Sequence, residues 1–159
     1  MGGSLGIAGG ITPTYTTPSF TSAQVGAIIV ADTLGGTYLI TTTNTWVQAT
    51  SSVYVPAGSY IIVSNVYAYG SDNPCYLVSK TGYNTSTSTT GVNSISPTLR
   101  TIFQIANTTG NTSTSYTDVY TFSSSGTYYF FFGIGKSTVS SQSTTLNTAA
   151  CTVQLMRVA

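Results

Sequence analysis

Chemistry at a protein site needs a base, a nucleophile or a bound metal, and this sequence is short of all three. It has no His and no Glu, and its side-chain carboxylates are Asp32, Asp72 and Asp118 alone. A hydrolytic triad therefore has no base to build on. A glycosidase pair would have to come from the Asp residues, of which Asp72 sits in the turn-like Gly70-Ser71-Asp72-Asn73-Pro74. Asp118 shares a strand face with Tyr116 and Tyr120, where an exposed or Arg-paired carboxylate is expected. Zinc needs four N or S ligands where only Cys75 and Cys151 are present, and no calcium-loop spacing occurs. The expectation is a protein that is not an enzyme, with no catalytic residues, no cofactor and no metal.

Other reactive or recognisable groups are few. Cys75 and Cys151 lie in strand-like segments with like-facing apolar neighbours, Leu77 on one and Val153 and Leu155 on the other. A disulfide between them would close a loop of roughly 75 residues and contribute about 4 kcal/mol; two buried thiols are the other reading. Glycosylation sequons start at Asn84, Asn107 and Asn111, all read as loop positions. Chance gives about as many in a chain this rich in Ser and Thr. Trp46 and the tyrosines could stack on sugar rings, but Trp46 sits in the strand-like Thr45-Trp46-Val47 and is expected in the core.

Composition narrows the class. The chain has 159 residues, 41% hydrophobic but only 4% charged, with a net charge of +1. That length suits one domain with a real core. Its surface must be wetted by neutral groups, and counting gives 53 Ser plus Thr, 12 Tyr and 8 Asn. Lys80, Arg100, Lys136 and Arg157 are too scattered to form a basic patch, so direct nucleic-acid binding is not expected. The opening MGGSLGIAGGITP has neither a basic n-region nor an apolar h-region, so no export signal is expected. The apolar run from Val25 to Ala31 is too short to span a bilayer.

Such a chain must position its residues with strands. Residues 1–20 are Gly-rich, then Thr-rich with Pro13 and Pro18, a composition for an extended N-terminal arm whose anchors would be Leu5, Ile7, Ile11, Tyr15 and Phe20. Residues 21–159 read as one β-sandwich domain. Runs rich in Val, Ile, Thr, Tyr and Phe predict strands near 23–32, 37–42, 45–55, 59–69, 75–80, 98–106, 115–122, 127–134 and 151–158. Residues 81–97 and 107–115 read as low-complexity loops. About eight or nine such strands suit an antiparallel sandwich, and most simply a single eight-stranded jelly roll. The segments Pro56-Ala57-Gly58-Ser59-Tyr60 and Ser124-Ser125-Gly126-Thr127-Tyr128 echo each other, each opening a long apolar strand. In 59–69 both faces are apolar: Tyr60, Ile62 and Val66 alternate with Ile61, Val63, Tyr67 and Tyr69. One face must meet something besides its own core.

In composition, strand pattern and Gly-rich arm the chain resembles the single jelly-roll capsid proteins of icosahedral viruses of hyperthermophilic acidophilic archaea. No short motif carries this likeness, so no functional residue is carried over. It implies a capsid subunit located in the virion, binding copies of itself and other shell proteins through its arm and its apolar strand faces. The low charge departs from the usual hyperthermophile enrichment in Lys and Glu. A fibre or adhesive pilus subunit at an extracellular surface, and a carbohydrate-binding sandwich, are the alternatives.

Three Asp, no Glu and no His also leave little for acid to titrate. The melting temperature should therefore stay nearly constant from neutral pH to about pH 3, since free Asp titrates near 3.9. Calorimetry across that range checks this. A steep fall would mean that an Asp is strongly stabilised as its anion in the fold, because that contribution is lost as pH drops.

Overall fold

The computed structural model describes residues 23–40, 45–70, 75–96, 100–105, 110–136, 144–147 and 150–159. The expected arm, with Leu5, Ile7, Ile11, Tyr15 and Phe20, lies outside the described residues, as do Asp72 and Asn107.

Twelve strands are described: β1 (Ile28–Ala31), β2 (Thr37–Ile40), β3 (Thr45–Gln48), β4 (Val53–Val55), β5 (Gly58–Gly70), β6 (Cys75–Asn84), β7 (Asn93–Ser94), β8 (Arg100–Ile105), β9 (Gly110–Phe122), β10 (Gly126–Lys136), β11 (Thr144–Asn147) and β12 (Thr152–Arg157). Every pairing is antiparallel. They form two six-stranded sheets. Four pairs of strands run end to end along a common neighbour: β1 and β2 along β12 and β11, β3 and β4 along β10, β7 and β8 along β6, and β11 and β12 along β5. Merging each pair reduces twelve strands to eight. In chain order, these eight lie as first-eighth-third-sixth in one sheet and second-seventh-fourth-fifth in the other. That is the two-Greek-key connectivity of a jelly roll. The expected fold class holds.

Several strand limits differ from the expectation, for physical reasons that can be named. The run 45–55 breaks at a bulge where the N–H groups of both Ala49 and Thr50 donate to the Phe130 carbonyl, at 2.8 and 3.3 Å. The buried Thr50 hydroxyl then accepts from Phe130 N–H at 3.0 Å, replacing the lost ladder bond. The bent segment also bonds to the connection between β1 and β2, through Leu34 N to Ala49 O and Ser51 N to Asp32 O. β6 and β9 extend into the segments 81–97 and 107–115 read as loops, β7 falls inside the first of them, and β11 was not expected at all.

The echoing turns are built alike. Tyr60 donates its hydroxyl to Pro56 O at 2.9 Å, and Tyr128 donates to Ser124 O at 2.8 Å, each four residues back. The two turns touch, Ala57 N–H donating to Ser125 Oγ at 2.8 Å. Phe122 packs between the two tyrosines, with ring centroids 5.8 Å from Tyr60 and 4.9 Å from Tyr128. The core continues through Phe130, Phe132, Ile134, Ile62, Val66, Val153 and Leu155, all buried between the sheets. Burying each large side chain contributes about 1.5–3 kcal/mol.

The turns differ at their glycines. Gly58 has φ +151°, and a Cβ there would lie 2.5 Å from the Ala159 carbonyl oxygen, which accepts from Ser59 N–H at 2.8 Å. At Gly126 a Cβ would meet only the Tyr128 ring, at 3.4 Å or more. Gly58→Ala should therefore cost about 2 kcal/mol and lower the melting temperature by roughly 5 °C, while Gly126→Ala is close to neutral. Thermal unfolding followed by circular dichroism checks the pair, and equal losses at both positions would contradict this account.

Candidate assembly surface

Strand register aligns the outward side chains of the first sheet into rows. Ile28 pairs with Met156, Met156 with Ile61, and Ile61 with Val119, giving one aliphatic row across four strands. Val30, Gln154, Val63 and Thr117 form the next. These side chains are far from buried: Val119 is 70% exposed, Ile28 65%, Val30 53% and Met156 39%. The inward neighbours Ile29, Leu155 and Ile62 are in the core. The sheet is thus apolar on both faces, the pattern of strands covered from both sides.

Neutral polar rows bound the patch. At one end, beside the exposed Val158, Ser59 Oγ and Thr121 Oγ1 share a hydrogen bond of 2.8 Å. At the other, Asn65 Nδ2 donates to Thr152 Oγ1 at 2.6 Å, and Ser115 Oγ donates to Asn65 Oδ1. None of these rows holds a charged side chain; Asp32 is exposed just past the end of β1. An apolar centre with a hydrogen-bonded polar rim is the anatomy of a protein–protein interface.

The second sheet treats its outer face differently. Phe131 points away from the core, between the inward Phe130 and Phe132, yet is fully buried. Trp46, expected in the core, lies half-buried on this outer face, because Val47 and Ala49 take the inward positions of its strand. Its ring occupies space left by two glycines: a Cβ on Gly82 would be 2.7 Å from Trp46 Cη2, and one on Gly133 2.9 Å from Cζ3. Val92 Cγ1 also reaches Gly82, and Lys80 Nζ stands 4.8 Å from the Trp46 ring centroid. This sheet packs its own residues around Trp46 and Phe131, while Tyr54 on β4 stays exposed.

Asp118 also departs from expectation. It does face with Tyr116 and Tyr120, but inward, and it is buried, accepting from Ser96 Oγ at 2.6 Å. Ser96 Oγ in turn accepts from Thr81 N–H at 3.1 Å. Alongside, Ser64 Oγ meets Thr81 Oγ1 at 2.6 Å, and the Tyr116 hydroxyl meets Thr81 Oγ1 at 2.9 Å and Ser79 Oγ at 3.0 Å. Burial pushes the Tyr116 hydroxyl pKa up. Tyr83 is pushed up to about 12, by burial and then by its 2.9 Å hydrogen bond with Tyr120. These groups tie the two sheets together across the core. Their signal was hidden in a chain where hydroxyls are everywhere.

Cys151 is buried, its sulfur accepting from Tyr67 N–H at 3.3 Å, and burial pushes its pKa up to about 11. The side chain of Cys75 lies outside the described residues, as does that of Asn111. Two of the three sequons are not in loops: Asn84 ends β6 and Asn111 lies in β9. The Asn84 amide is already engaged, donating to Ser88 O at 2.8 Å and Thr90 O at 3.1 Å to close the loop that follows. No helix among the described residues is long and apolar enough to cross a membrane.

No protein-family model and no curated protein matches the chain. Among solved structures it is similar to the T13 viral particle of infectious bursal disease virus, at 12% identity and TM-score 0.44 over 96% of this chain and 40% of that one. The VP2 subviral particle of the same virus is similar at 15% identity and TM-score 0.43, over 96% and 41%. The CBM22-1 xylan-binding domain of Paenibacillus barcinonensis Xyn10C is similar at 12% identity and TM-score 0.40, over 86% and 99%. The chain spans about two fifths of the length of the two viral chains. These likenesses are low, and the jelly-roll assignment rests on strand order.

Ser96→Ala would remove both the donor to Asp118 and the acceptor of Thr81 N–H, and should cost about 2–3 kcal/mol in urea unfolding. Asp118→Asn keeps an oxygen for Ser96 and should cost less. A Ser96→Ala protein within about 0.5 kcal/mol of wild type would contradict a structural role for this bond.

Proposed function

We propose that this chain is a non-catalytic structural subunit of a shell, and specifically of a viral capsid, assembling with copies of itself and with other shell proteins in the virion. The observation that carries this reading is the first sheet, whose centre is apolar on both faces and whose outer face has an uncharged, rimmed aliphatic patch. A free monomer gains nothing from exposing such a surface, and an assembling subunit needs one. The Gly-rich segment 1–20 would supply a second set of contacts. The scarcity of groups that titrate in acid fits particles that meet an acidic exterior, as in viruses of acidophilic archaea.

A second reading has its own observation. Trp46 lies on the outer face of the second sheet over Gly82 and Gly133, and an outward indole is what a sugar-binding module would use.

Light scattering and electron microscopy of the purified full chain, over a range of pH and protein concentration, separate these readings. Closed particles of uniform diameter are expected. Open filaments would point to a fibre subunit instead. A monomer at all concentrations that binds polysaccharide, and loses that binding in Trp46→Ala, would replace the shell reading with the sugar-binding one.

A further inference from the structure

We infer that the outer face of the first sheet docks on the same face of a second copy, so that the assembling unit is a face-to-face dimer. This takes its setting from the shell reading but rests on the surface itself.

The first argument is chemical. The patch offers an occupant only aliphatic side chains, Thr117 and Gln154, framed by hydroxyls and an amide. A charged partner would lose hydration with nothing to pair against. A second copy presents the same uncharged rows, and its net charge of +1 raises almost no repulsion. The second argument is shape. Sheets pack face to face about 10 Å apart with strands nearly aligned when their twists match, and two copies of one sheet have the same twist. A two-fold axis in the plane of contact, along or across the strands, preserves that alignment. The third argument is extent. The outward rows and their polar rims run from Ser59 to Asn65 across four strands, a face of roughly 19 by 23 Å, or about 440 Å² in plan. That suits the apolar centre of an interface whose standard size is about 800 Å² from each partner. The inner face of the same sheet shows that the chemistry suffices: its row Ile29, Leu155 and Ile62 packs against the second sheet, and the outer row Ile28, Met156, Ile61 and Val119 is at least as apolar.

Sedimentation equilibrium of the full chain tests this, comparing wild type with Val119→Glu and Ile28→Glu, at opposite ends of the row. Tyr54→Glu is the control, an equally exposed side chain on the second sheet. All three positions are exposed, so the fold should tolerate the change, and the melting temperature monitors it. The wild type is expected to be dimeric or larger at micromolar concentration. Either row substitution should raise the dissociation constant at least about 100-fold, with the melting temperature unchanged at dilutions where the wild type is also monomeric, and Tyr54→Glu should not raise it. A wild-type monomer up to about 0.1 mM, or equal effects from the row and control substitutions, overturns the inference. Dimers without closed particles would sink the shell reading alone. Closed particles whose assembly ignores Val119→Glu would sink this inference alone.

Discussion

The strand on which the rest depends is β5, hydrogen-bonded along both edges and apolar on both faces. In most half-buried strands polarity fixes the register, because a slip of one residue sends the core face to water. That lever is weak here, since Ile61 and Val63 could stand in for Ile62 and Tyr60. The register is pinned by two polar residues within the run. Ser64 points inward and meets Thr81, while Asn65 points outward to Thr152 and Ser115. A one-residue slip would strand the Thr81 and Tyr116 hydroxyls without Ser64 and drive an amide into the core, at a few kcal/mol. At the start of the strand, Gly58 and the Tyr60 bond to Pro56 fix the entry.

The second theme is how a chain with 4% charged residues satisfies its interior. Where a ladder bends, a hydroxyl replaces the missing partner: Thr50 for Phe130 N–H at one corner, Ser96 for Thr81 N–H at another. Between the sheets, hydroxyls bond to each other. Such groups hold their protons across the acid and neutral range. Tyr83, raised from 10.0 to about 12, favours the folded state below pH 10 and weakens it only as pH climbs through the folded value. The Tyr83 contribution is therefore lost only on the alkaline side.

Much of this was legible in the residues. The jelly roll followed from strand-like runs between Gly, Asn, Ser and Pro clusters, and the two-sided character of 59–69 was plain from alternation alone. The echo between 56–60 and 124–128 marked two turns that share a hydrogen bond. What failed to show had physical causes. The hydroxyl-rich Thr144–Asn147 carries no strand signal, and the first residues of β9 read as loop, yet pairing with β5 recruits both as strand. Trp46 was placed in the core because large aromatics favour burial, whereas small Ala49 and Val47 hold the inward sites and Gly82 with Gly133 clears the outer face for the indole. Asp118 reads from the sequence as exposed or Arg-paired because charge favours water or a counter-ion, but Ser96, distant in sequence, receives it inside.

The central claim is that the aliphatic rows on the outer face of the first sheet are covered in the working assembly. Met156, in the middle of the first row and 39% exposed in the single chain, is an intrinsic probe, since thioether oxidation follows access. Its oxidation rate by dilute peroxide, read by mass spectrometry in native particles and in the dissociated subunit, measures that cover directly. The account predicts at least about tenfold protection of Met156 in the particle, with the thioether oxidising freely once the subunits separate. Equal rates in the two states would show that the face stays open to water, and the account of the two-sided sheet as an assembly device would be wrong.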